Sequence, residues 1–264
     1  MFQNWEYLNS NRDIIEHLKE QWLSMLDNEN LKEEGYHRFL AEHAGMFFSH
    51  ISNCFTCVSK LNLGDDFQTD FVVPRDSGSY GFSYELIEIE SPHVSAFNKS
   101  GCVSSRLNRA IQQISDWEHW IRQNQELAKR LFPSKSFYLW NEPRFSYTIY
   151  ISRRSELESV DHLRHRYEKA HKVRIRSFDH LTDQMCKQMF MNETMLYSAE
   201  EDKLEKLTRN KLVNPFSSAI SGKQWKDISS SKSFSYAHSF ALSSELFLKY
   251  KVHSSLYEKF KNAS

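Results

Sequence analysis

The chain has 264 residues, room for one domain with a substantial core or for one domain plus an appendage. Its 40% hydrophobic and 14% aromatic content argues for a folded protein and against an intrinsically disordered one. Thirty-four basic residues balance thirty-four acidic ones, so any nucleic-acid contact must come from a local basic patch. The first residues are polar, and no apolar run approaches the roughly eighteen residues of a spanning helix, so a soluble cytoplasmic protein is expected, with no membrane partner.

In chain order, Ile14, Ile15, Leu18, Trp22 and Met25 recur at helical spacing and predict a helix over 11–27, with Asn11 as its cap. A second helix runs through Tyr36, Phe39 and Leu40 to about His43. Strands are expected at 53–60, 68–74 and 83–90, with Asn62 to Asp66 and Asp76 to Ser79 supplying turns. Cys54 and Cys57 have zinc-like spacing, but no second pair or His pair stands nearby, so they read as ordinary buried thiols.

Pro92 closes the third strand and a loop follows over 93–103. A long helix from about Ser104 to Arg130 carries Leu107, Ala110, Ile111, Ile114, Trp117 and Ile121 on one face. Arg106 and Gln113 lie at the margin of that stripe and can look into a cleft. A strand over 145–151, a helix over 155–171, a strand over 173–177 and a helix capped by Asp179 complete the pattern. An antiparallel meander followed by a β-α-β crossover implies a mixed sheet with helices on its faces. Three parts are expected: an N-terminal helix in 1–30, a core in 31–190, and a C-terminal appendage in 191–264, where periodicity weakens.

The chemistry concentrates between Gln68 and Glu90. Asp70 heads the apolar run Phe71-Val72-Val73, and Glu88 and Glu90 lie two apart among Leu86, Ile87 and Ile89. Residues two apart on a strand share a face, so two adjacent strands would gather three carboxylates. Such groups repel unless a cation or proton relieves them, which is how oxygen ligands build a divalent-metal site. The alternative is a solvated strand face, although Asp and Glu are poor strand residues and here interrupt aliphatic runs.

Basic residues concentrate in 163–176, where Arg164, Arg166, Lys169, Lys172, Arg174 and Arg176 face only Glu168. That is the best candidate for a DNA-facing surface, because phosphate affinity comes largely from counterion release; the alternative is a solvated helix face. Arg153 and Arg154, at a strand end, could clamp phosphate or pair with Glu156 and Glu158. No P-loop, GxGxxG or GxSxG occurs, so nucleotide-driven and serine-hydrolase chemistry lack support.

Taken in order, these segments resemble a known superfamily. Asp70 with its apolar run, Ile87-Glu88-Ile89-Glu90-Ser91-Pro92, and the helix segment Ala110 to Trp117 are similar to the PD-(D/E)XK nucleases, and more closely to the Shedu defence-nuclease domain. The segments Glu33 to Phe47, Tyr147 to Arg154 and Val173 to Leu181 extend the resemblance over about residues 31–190. It implies an α/β fold with a PD-(D/E)XK restriction-endonuclease-like core: a mixed sheet flanked by helices. It also implies a homo-oligomeric, Mg²⁺- or Mn²⁺-dependent endodeoxyribonuclease acting on phage or plasmid DNA.

Asp70 and Glu88 would then ligate metal, Gln113 would lie beside the site, and Glu33 would be the opening-helix carboxylate. Read without the resemblance, Gln113 could be a helix-flank polar residue and Glu33 a solvated charge. Position 90 departs from the family pattern: Glu stands where Lys is usual. A Glu cannot offset charge on the attacked phosphate, but it can act as a third ligand or as a general base through water. The alternative is a nuclease-shaped DNA-binding or assembly module.

Overall fold

A computed structural model of the chain describes residues 12–48, 57–77, 80–98, 100–132, 134 and 142–185. The expected appendage at 191–264, Asn11, Cys54 and Cys186 lie outside the described residues.

Three helices open the described chain: α1 (Arg12–Asp27), α2 (Glu33–Glu42) and α3 (Ala44–Phe48). A run of strands follows, β1 (Val58–Ser59), β2 (Asn62–Leu63), β3 (Phe67–Gln68), β4 (Phe71–Asp76) and β5 (Phe82–Ile89). Helices α4 (Ser105–Gln123) and α5 (Gln125–Leu131) lead to β6 (Arg144–Tyr150). Helices α6 (Arg154–Ser159) and α7 (Asp161–His171) then lead to β7 (Arg174–Arg176), and residues 178–185 are helical.

The main sheet has five strands in the order β1-β4-β5-β6-β7. β4 pairs antiparallel with β1 and β5, whereas β6 pairs parallel with β5 and β7, so the sheet is mixed as expected. Both parallel connections pass through helices, because a chain that leaves one end of a sheet must return along its length to start the next parallel strand.

The sheet is covered on both faces by separate apolar clusters. On one face, Val72, Tyr84 and Leu86 pack with Leu107, Ala110, Ile114, Trp117 and Ile121 of α4, the stripe that the 3.6-residue spacing predicts. On the other, Phe71, Val73, Ile87 and Ile89 pack with Trp22 of α1, Tyr36 of α2 and Phe178, Leu181 and Met185. Burying a side chain of Leu or Phe size stabilises by about 1.5–3 kcal/mol, so these two faces carry most of the driving force.

Several expected elements divide. The long helix breaks at Asn124, whose side-chain amide donates to the Trp120 carbonyl (2.9 Å) and competes with the helical ladder. The helix expected over 155–171 breaks at Val160, preceded by Ser159, whose hydroxyl donates back to Glu156 O (2.7 Å). Asp179 lies within the first turn of its helix, and its carboxylate accepts from Arg153 and the Arg154 amide.

The strand expected over 68–74 splits around Thr69 and Asp70, and this split shapes the site. Val58 pairs with Val72, Ser59 with Phe71, Asn62 with Gln68 and Leu63 with Phe67, one hairpin register closed by the turn at Gly64, whose φ is +63°. That register sets Lys60 opposite Asp70, and the Lys60 amide donates to Asp70 O (2.9 Å). Lys60 adopts φ +53°, so the ladder is interrupted at this pair.

Candidate active site

Three carboxylates meet at the end of the sheet where β5 and β6 finish. Phe71 lies opposite Ile87, so the register places Asp70 opposite Glu88, and Glu90 follows two residues on, past the end of β5. Glu90 N donates to Tyr150 O (2.9 Å), which carries the extended backbone beyond β5. Asp70, Glu88 and Glu90 retain only 5%, 6% and 4% of their surface exposure. Burial of acids in this number demands partners, and the partners are too few.

Asp70 is the best supplied. Its Oδ1 contacts the Lys60 ammonium and its Oδ2 accepts from Ile89 N (2.9 Å). His37, stacked on Phe71 with ring centroids 4.7 Å apart, brings Nε2 to 3.4 Å from Asp70 O. Burial and the nearby Lys60 charge hold the His37 imidazole below its usual range, favouring its neutral form.

Glu88 is the worst supplied, with Oε2 buried and without a hydrogen-bond partner. Its pKa is pushed up to about 10, first by burial and then by the charges of Asp70, Glu90 and Glu33. Burial and its acidic neighbours thus favour the protonated form of Glu88. Glu90 has Oε2 3.5 Å from Arg106 Nη1, and its pKa is raised to about 7 by burial and Glu33, opposed by Arg106 and Arg109. Glu33, in the first turn of α2, stands 4.0 Å from the same Arg106 nitrogen. Its pKa is raised by burial and by Asp70.

Four of the five expected catalytic residues are therefore in electrostatic contact. The fifth, Gln113, is half-buried on α4, two turns beyond Arg106. Hard oxygen donors at low exposure, one of them unpartnered, are the ligand type that a Mg²⁺- or Mn²⁺-like ion takes. Among the described residues no group of three or more His, Cys, Asp or Glu side chains stands ready in metal-binding geometry. Loading an ion would require the Lys60–Asp70 pair to part and the ionised form of Glu88 to be restored.

A family model described as "Shedu protein SduA, C-terminal" matches residues 30–182. The chain belongs to that family. No curated protein matches it. Membership in the Shedu family supports a defence-related role. The matched span holds every carboxylate of the cluster and both faces of the sheet. Among the described residues, no helix is long and apolar enough to cross a membrane.

The expected basic residues fall into two groups. Arg106 faces the acidic cluster. The others are spent on internal contacts or lie away from it. Arg153 reaches Asp179 (3.0 Å), Asp27 (3.3 Å) and Leu26 O (2.9 Å), and Arg154 reaches Asp183 (2.5 Å), in place of the Glu156 and Glu158 partners considered from sequence. Arg164 pairs with Asp161, Arg176 with Glu168 (2.5 Å) and Arg174 with Glu85. Lys172 takes a left-handed conformation (φ +54°) and caps α7.

Sequence reasoning missed Lys60, His37 and Arg109. A signal for Lys60 existed: a turn centred on Gly64 to Asp66 pairs residues symmetrically about it and sets 60 against 70. No comparable local signal marks His37 or Arg109, which act on the cluster from two different helices.

Proposed function

We propose that this chain is a metal-dependent DNA nuclease with a PD-(D/E)XK-type core, acting in antiviral or anti-plasmid defence. The observation that carries the reading is Glu88: a buried carboxylate with an unpartnered oxygen, beside two other buried acids and at the end of a sheet. A structural carboxylate in such a place would be paired or replaced, since leaving it unpaired costs about 1–3 kcal/mol or more. A cation-binding carboxylate must be left available. Family membership points the same way.

In this reading Asp70, Glu88 and Glu90 hold Mg²⁺ or Mn²⁺. The bound ion would polarise the phosphodiester, lower the pKa of the attacking water and neutralise the leaving oxygen. If Glu90 does not ligate the ion, its carboxylate oxygen is free to receive the water's proton instead. Arg106, half-exposed and beside Glu90 and Glu33, offers a guanidinium to a DNA phosphate at the edge of the cluster. Gln113 lies on the same helix and would position the strand or a metal ligand.

The test is cleavage of linear, circular and single-stranded DNA by the purified protein with each metal, beside Asp70→Ala. Cutting that requires the metal and is lost in the variant supports the reading. If no DNA form is cut and Asp70→Ala changes neither Mn²⁺ binding nor defence, the reading is wrong.

A further inference from the structure

The nuclease reading leaves one central side chain without a role. Lys60 holds Asp70 twice, through its amide to Asp70 O (2.9 Å) and through its ammonium to Oδ1. Register places Lys60, Asp70 and Glu88 as neighbours across three strands, so Asp70 is shared between an ammonium on one side and, on the other, the Glu88 carboxyl, one oxygen of which has no other partner. Directly opposed residues on antiparallel strands have Cβ atoms about 4.5–5.5 Å apart, close enough for each to set its neighbour's charge state.

A divalent ion held by Asp70 and Glu88 would compete for the carboxylate that Lys60 now occupies. An ammonium and a divalent cation on one carboxylate repel strongly where water is scarce. The lysine can yield: its side chain is 47% exposed, against 7% for Asp70, and its four-carbon stem is flexible. Where it would go is also constrained. Arg106 stands 4.0 Å from Glu33 and 3.5 Å from Glu90, so the ammonium on Asp70 and this guanidinium border one cluster of acids. A phosphodiester approaching Glu33 would meet them together.

We propose that Lys60 is the resident counter-ion of the metal-free site and becomes a phosphate-facing group when metal displaces it. It would thereby supply the positive charge that Glu90 cannot. The proposal rests on the nuclease reading. It makes Lys60 both a competitor of the metal and a contributor to cleavage, two effects of opposite sign that a merely structural lysine would not produce.

Calorimetric Mn²⁺ titration and DNA cleavage at saturating Mn²⁺ test it on the wild type, Lys60→Met and Lys60→Arg. Removing the competitor in Lys60→Met should tighten Mn²⁺ binding about tenfold and slow cleavage at least about hundredfold. Lys60→Arg, whose guanidinium grips a carboxylate more firmly, should weaken Mn²⁺ binding below wild type. Should Lys60→Met fail to fold, the Arg variant decides alone. Mn²⁺ affinity unchanged or shifted the other way, or wild-type cleavage by folded Lys60→Met, overturns the proposal while a binding, cutting wild type keeps the nuclease reading. A wild type that neither binds Mn²⁺ nor cuts DNA sinks the nuclease reading, and this proposal with it.

Discussion

Strand β5 buries Glu85 on one face of the sheet and Glu88 on the other, three residues apart and at nearly equal exposure, 4% and 6%. Glu85 accepts from the hydroxyls of Ser146 (2.6 Å) and Thr148 and from the Arg174 guanidinium. Glu88 has Asp70 and Glu90 as neighbours and one oxygen with nothing to accept from. The same residue type on the same strand is thus a satisfied anchor in one place and an electrostatic liability in the other. A fold that pairs Glu85 so completely has the means to satisfy both oxygens of Glu88, so the one left without a partner is informative about use.

The sharpest way to break this contrast is Glu88→Gln. The amide keeps the shape of the side chain but cannot carry the charge that holds a divalent ion. Cleavage in saturating Mn²⁺ should fall by about 10³-fold, with Mn²⁺ binding lost by calorimetry. A variant that cuts at the wild-type rate would place the chemistry elsewhere.

The same substitution should have a contrary effect on stability. Burial and neighbouring acids raise the Glu88 pKa in the folded protein to about 10, from its ordinary 4.5 when exposed. Below about 4.5 both states are protonated and burial of the neutral acid is tolerated. Between those values the unfolded chain gives up its proton and the folded one does not, so stability falls as pH rises, by up to about 1.4 kcal/mol per pH unit. Metal-free wild type should therefore lose stability steadily from pH 5 to 9, and Glu88→Gln should lose less, becoming the more stable protein at the alkaline end. Urea unfolding in EDTA across this range measures the difference.

On the opposite face the expectation reverses. Thr148→Val removes a hydroxyl that donates to the buried Glu85 carboxylate, a charge-assisted bond worth about 1.5–3 kcal/mol. Stability should drop by that amount while Mn²⁺ affinity and cleavage stay within about twofold of wild type. Loss of cleavage in the folded variant would mean that the two faces are coupled and the comparison fails.

How far these sites were legible in the sequence follows from the range of the interactions. Period-two alternation put Glu88 and Glu90 on one face, and 3.6-residue spacing found the buried stripe of α4, because both depend on neighbours along the chain. Lys60 was one step less legible, since its place depends on the register of a hairpin rather than on alternation within a strand. Arg153 with Asp179, and Trp22 with Thr182 (Nε1 to Oγ1, 2.8 Å), join segments that pattern alone does not bring together. Internal ion pairs explain why the basic run at 163–176 looked freer than it is: Arg164 and Arg176 find carboxylates on α7 itself, and Arg174 finds Glu85 across the sheet.

The smallest expected effect belongs to the edge of the acidic cluster, and it tests how finely the site is tuned. Arg106 is half-exposed, so its pairing with Glu90 and Glu33 is screened by water and adds at most about 1 kcal/mol to stability. Its charge nevertheless favours the ionised form of Glu90, opposing the burial that raises the pKa to about 7. If Glu90 must be deprotonated to accept a proton from water, Arg106→Ala raises the pKa further and moves the acidic limb of the rate–pH profile toward higher pH. The shift should stay below about one pH unit, because a half-exposed charge acts through a high effective dielectric. Loss of one phosphate contact should also lower the salt dependence of DNA binding by about one unit of slope. An unmoved pH limb with a reduced salt slope would make Arg106 a DNA contact only and leave Glu90 to burial and Glu33.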